Sequence, residues 1–118
     1  MSTLPFEQVD VFANLPFKGN PVAVVFDADQ LDAAQMQSIA TWTNLSETTF
    51  VQTATHSEAD YRLRIFTPTR ELPFAGHPTI GSAHAIVCTG RAPKGATRLT
   101  QECGAGLLSL QITPDETH

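Results

Sequence analysis

The sequence predicts an α+β fold: a curved, mostly antiparallel sheet, a partly closed barrel, wrapped around a central apolar helix, with one outer helix. Three observations predict it. Six or so short extended segments recur between Pro and Gly turn signals. The stretch from Gly76 to Gly90 is small or apolar around nearly its whole circumference, the pattern of a helix enclosed on all sides. A second helical stretch, from Asp32, is apolar on one face only and suits a helix packed outside the sheet.

Each element has its own signal. Residues 5–13 read as a first strand, with bulk from Phe6, Val9, Val11 and Phe12. Phe17 to Pro21 reads as a turn, because Gly19 and Asn20 tolerate positive φ and Pro21 starts an extended segment. Val22 to Phe26 is a continuous apolar run, expected of a strand buried on both faces. Asp32 and Gln35 have capping-box spacing, with Leu31 and Met36 placed as a hydrophobic staple. Met36, Ile39, Ala40 and Thr43 then mark one buried face, and Gln35, Gln37 and Ser38 an exposed one. Thr48 to Thr53 reads as a strand. Tyr61, Leu63 and Ile65 alternate with Arg62, Arg64 and Phe66, a period of two. Pro78 stands where a first helical residue belongs and Gly90 just past a last one. Thr97 to Glu102 and Gly106 to Ile112 form a hairpin that turns at Gly104-Ala105-Gly106.

Length and charge bound the function. At 118 residues the chain makes one domain. Net charge is −5, which opposes contact with nucleic-acid phosphate. Residues 1–59 carry seven acids against the single base Lys18, whereas residues 60–118 carry five acids and six bases. An anionic ligand therefore prefers the second half. Two cysteines, Cys88 and Cys103, make no disulfide framework, and no His/Cys cluster suggests a metal. Neither a signal-peptide pattern nor an apolar run of membrane-spanning length is present. The expectation is a cytoplasmic protein with no nucleic-acid or membrane partner.

Two segments carry the chemistry. Helix N-termini gather unpaired N–H groups and a partial positive charge. At Phe74-Ala75-Gly76-His77-Pro78-Thr79, the N–H groups of Gly76, His77 and Thr79 would face a carboxylate or phosphate, with Gly76 permitting close approach. The plainer reading is that Gly76 and Pro78 only shape a strand-to-helix turn. Glu47, in Asn44-Leu45-Ser46-Glu47-Thr48-Thr49-Phe50, has the apolar flanks that suit a proton-shuttling carboxylate. On spacing alone the solvated turn glutamate is the stronger reading, and Asn20 reads as a turn residue. His84 lies two turns beyond His77, roughly 10 Å away, too far for a shared metal. Cys88 reads as core packing, and neither cysteine has a neighbouring base in the sequence that marks a nucleophile.

Three segments in order, FKGNPVAVV (Phe17 to Val25), NLSETTFV (Asn44 to Val51) and RIFTPTRELPFAGHPTIGSAHA (Arg64 to Ala85), resemble the N-terminal lobe of the PhzF family of phenazine-biosynthesis-like isomerases. The resemblance implies a diaminopimelate epimerase-like lobe over residues 1–118, with the active site between two lobes and the second lobe absent here. It implies that Glu47 is the general acid/base and that His77 lines the site. It also implies that Asn20, Gly76 and Thr79 contact substrate. The cysteine that racemases of this fold carry before Gly-His is Ala75 here, which favours carboxylate chemistry.

The implied activity is a cofactor-independent isomerase that moves a proton within a small unsaturated cyclic amino or hydroxy acid. Its expected partners are a small-molecule carboxylate substrate and a second copy of the chain, as a homodimer. The alternative is a non-catalytic carboxylate-binding or dimerisation module derived from that family.

Overall fold

The computed structural model describes residues 6–11, 20–92 and 97–111. Of the expected turn from Phe17 to Pro21, residues 17–19 lie outside these residues, as does the tail after Gln111, while Asn20 and Pro21 already pair as strand. The elements are β1 (Phe6–Val11), β2 (Asn20–Val25), a 3₁₀ turn (Ala28–Gln30), α1 (Ala33–Thr43), β3 (Glu47–Gln52) and β4 (Tyr61–Phe66). They continue with β5 (Glu71–Leu72), α2 (Gly76–Cys88), β6 (Arg98–Cys103) and β7 (Gly106–Gln111). The sheet runs β1-β2-β3-β4-β6-β7, with β5 paired to β4. β2–β3 and β4–β6 are parallel; the other pairs are antiparallel. The α+β class and the mostly antiparallel sheet are as expected.

The two parallel pairs explain where the helices lie. The chain crosses from β2 to β3 through α1, and from β4 to β6 through α2. Both crossings advance in the same direction across the sheet, but β4 and β6 point opposite to β2 and β3. Crossovers of one hand, the rule for parallel connections, then put the two helices on opposite faces. The packing agrees. Phe50, Phe66 and Val25 meet Met36 and Ala40 of α1 on one face. Val22, Val24, Leu63 and Ile65 meet Ala85 and Ile86 of α2 on the other. Val22 to Phe26 is buried throughout, because β2 lies between the two layers.

Local signals set the element ends. Asp32 caps α1: its Oδ1 accepts from Gln35 N at 2.8 Å, and its own N–H donates to Gln35 Oε1 at 2.9 Å. Leu31 packs in the same cluster as Met36, which completes the staple. α2 ends in a Schellman motif. Gly90 N–H donates to Val87 O at 3.1 Å and Arg91 N–H to Ile86 O at 2.9 Å, with Gly90 at φ 75°.

Two expectations about α2 change. It starts at Gly76, two residues before Pro78. Proline is tolerated there because the first turn has no internal partner for its N–H groups. The helix is also not enclosed all round. Pro78, Thr79, Gly81, Ser82, Ala85 and Ile86 are buried, but Ile80 is 48% exposed and Cys88 is exposed. The sheet curls around α2 far enough for Thr79 to meet Gln101 on β6, but among the described residues it does not close. Among the described residues β1 and β7 are its two edges, and the strip of α2 that carries Ile80 and Cys88 stays open.

Candidate active site

Strand alternation fixes which side of β3 each residue serves. Thr48 and Phe50 face α1: Thr48 Oγ1 bonds Thr43 Oγ1 at 2.8 Å, and Phe50 meets Phe66 edge-on at 5.5 Å. Glu47, Thr49 and Val51 therefore face α2. Thr49 Oγ1 lies 2.7 Å from Ser82 Oγ, a buried hydroxyl pair that pins β3 to the middle of α2. Val51 packs in the cluster that contains Ile86. Arg91, just past α2, reaches Asp27, just past β2, at 3.1 Å. The C-terminal end of α2 thus lies at the C-terminal ends of β2 and β3.

Glu47 is then at the other end. Two residues along a strand and four along a helix both advance roughly 6–7 Å. Stepping back from the Thr49–Ser82 pair by those counts brings Glu47 level with Pro78, in the first turn of α2. Glu47 Oε1 is buried and has no hydrogen-bond partner. Such atoms are rare in folded proteins because an unmet buried polar group costs free energy.

The α2 entrance is uncapped. Ala75 occupies the N-cap position in extended conformation and offers no side-chain acceptor. Pro78 has no N–H, and Thr79 N–H donates to Ala75 O at 3.3 Å, the first helical bond. Gly76 and His77 are the helical residues that precede that bond. A Cβ placed on Gly76 would meet no atom within 4 Å, so space is open above it. The next segment is held from behind. A Cβ on Gly104 would come within 2.8 Å of Pro73 Cα, so the β6–β7 turn lies directly against the residues that lead into α2.

The expected site residues divide. Glu47 lies on the α2 face of β3, level with the first turn of α2 that Gly76 and His77 begin, and His77 is half-buried. Asn20 begins β2, opposite Val11 and at the same end of the sheet as Glu47. Thr79 turns inward: it is 2% exposed, and its Oγ1 accepts from Gln101 Nε2 at 3.4 Å. Its N–H and hydroxyl are both engaged within the fold. Gln101 Oε1 in turn accepts from the Tyr61 hydroxyl at 2.9 Å. Burial, then the charges of Asp60 and Cys103, push that hydroxyl well above the ordinary tyrosine range. Thr49, Ser82 and Gln101 were not singled out in sequence. Their signal was polarity on faces otherwise apolar.

A cavity of about 510 Å³ lies at the opposite end of α2. Its carboxylates are occupied: Asp29 accepts from Thr53, Asp60 from Thr100 N–H, and Asp27 pairs with Arg91. Nothing in it duplicates the Glu47 arrangement.

The chain belongs to the PhzC-PhzF family of phenazine biosynthesis-like proteins, whose model matches residues 9–118. It is 60% identical over 112 residues to "Antisense-enhancing sequence 1" of Schizosaccharomyces pombe, covering 95% of this chain and 38% of that protein. It is 58% identical over 78 residues to the trans-2,3-dihydro-3-hydroxyanthranilate isomerase of Pseudomonas fluorescens, covering 66% of this chain and 28% of that enzyme. A PhzF-family crystal structure from Bacillus anthracis superposes with TM-score 0.86 at 39% identity, covering 96% of this chain and 37% of that one. A hydroxyproline epimerase from Agrobacterium vitis shares the fold, with TM-score 0.69 at 17% identity. The chain thus spans about a third of the length of the proteins it matches.

Proposed function

We propose that this chain supplies the proton-transfer lobe of a PhzF-type isomerase acting on a small unsaturated cyclic amino or hydroxy acid. The buried, unpartnered Glu47 Oε1, level with the first turn of α2, carries the reading. The substrate carboxylate sits at Gly76, where space is open, and the His77 side chain orients the ring. Glu47 takes a proton from one carbon and returns it to another, so the double bonds shift with no net loss or gain. General acid–base transfer of this kind needs a confined carboxyl group and a held substrate, and no cofactor. The wall facing Glu47 comes from a second lobe or a second copy of the chain. A homodimer paired along the open sheet edges is the form this takes for the lone lobe. The name of the Pseudomonas fluorescens relative makes trans-2,3-dihydro-3-hydroxyanthranilate the first substrate to try.

The test is proton exchange into that acid in deuterated water, read by NMR. Glu47→Gln lowers exchange on the order of 10²–10⁴-fold, the usual worth of a general base, while thermal unfolding stays unchanged. Full exchange by a folded Glu47→Gln chain removes the assignment. An unaltered chain that binds the acid but exchanges no proton favours the carboxylate-binding module instead.

A further inference from the structure

The open strip of α2 holds a second reactive arrangement, well away from Glu47. His84 and Cys88 are four residues apart, so their side chains stack along one helix face. Nε2 of His84 lies 3.4 Å from Sγ of Cys88. Cys88 is exposed. A thiol within hydrogen-bond reach of a base is the constellation of an activated sulfur nucleophile. Cys88 lies ten residues beyond Pro78, about 15 Å along the helix, so this pair is separate from the carboxylate site. Cys103 provides the internal contrast. Its Sγ donates to the carbonyl of Gly106 at 3.6 Å, and a carbonyl does not take up the proton.

We infer that His84 and Cys88 form a thiol–imidazole dyad that exchanges with small disulfides and carries a mixed disulfide at Cys88. The Cys88 thiol passes its proton to His84 Nε2, and Sγ attacks one sulfur of the small disulfide. The new S–S bond forms as the old one breaks, and the other half leaves as a thiolate. That thiolate takes the proton back from the imidazolium. One disulfide is consumed and one formed, so the electrons balance without a further oxidant. The helix backbone sets the pairing, so the dyad operates whether or not the carboxylate site is filled.

Oxidised glutathione is the probe. The unaltered chain is incubated with it, and the adduct at each cysteine is timed by peptide mass. Cys88 reacts about tenfold or more faster than Cys103, and the ratio falls towards one in His84→Gln. Equal rates at the two cysteines of the unaltered chain overturn the inference without any variant. A ratio that survives His84→Gln, in a chain of unchanged circular dichroism and thermal midpoint, also overturns it. Exposure alone would then account for Cys88.

Discussion

Glu47 and Gly76 show what single residues contribute at the start of α2. A buried carboxylate oxygen without a donor costs roughly 1–3 kcal/mol or more, and a purely structural residue there would be better replaced by an apolar one. The chain keeps the glutamate, and function is the reason proposed here. Gly76 tests the other half of the site. Because a Cβ there meets nothing within 4 Å, Gly76→Ala leaves the fold intact, with a thermal midpoint equal to or slightly above the unaltered chain. If a carboxylate seats at Gly76, the added methyl weakens its binding by about tenfold, read by titration calorimetry. Undiminished binding in Gly76→Ala would move the anion site elsewhere. At this scale the sequence was partly legible. Glu47, Gly76 and His77 could be chosen from spacing and resemblance, but the burial of Thr79 could not. Its inward turn depends on Gln101, 22 residues away.

At the scale of elements, short-range rules and long-range bonds do different jobs. The Asp32–Gln35 capping box starts α1 and Gly90 ends α2, and both were visible as local spacing. What holds α2 against the sheet is not local. Tyr61, Gln101 and Thr79 form a hydrogen-bonded run from β4 through β6 to α2, with Gln101 fully buried. Tyr61→Phe removes the donor to Gln101 Oε1 and strands that oxygen inside. The expected loss is about 1–3 kcal/mol in urea unfolding, with the fold preserved. Asp32→Ala is milder, about 1 kcal/mol, because only an exposed cap is lost. A Tyr61→Phe cost no larger than that of Asp32→Ala would show that the run contributes little. β5 was missed in sequence because two residues carry no periodicity. It exists because Glu71 forms a two-point ion pair with Arg64 beside the Ile65–Leu72 and Phe66–Glu71 pairings.

For the whole molecule, the segment from Thr53 to Asp60 is tied down by distant or neighbouring carboxylates. Asp29 accepts from Thr53, Glu102 from Thr55 and His56, and Asp60 from Thr100. The Thr55 hydroxyl, followed by the Thr55 and His56 N–H groups, holds the Glu102 carboxyl below its ordinary value of 4.5. The unfolded chain therefore binds this proton more readily than the folded one. The stability from this group is fully present above that ordinary value and is lost as pH falls through the lower folded one. Urea midpoints measured from neutral pH down to about pH 3 should show Glu102→Gln below the unaltered chain at the top of the range. The gap should close at the bottom; a gap that is constant with pH contradicts it. The sequence alone determined the α+β class, most element positions within a residue or two, and the resemblance of the Glu47 and His77 segments. These depend on periods, caps and motifs within a few residues of one another. Only the tertiary structure decided that Glu47 lies on the α2 face of β3, that Thr79 turns inward to Gln101, and that Ile80 and Cys88 of α2 stay exposed. Those outcomes depend on which strands pair and in which direction. Pairing is settled by contacts between residues tens of positions apart, which no local pattern records.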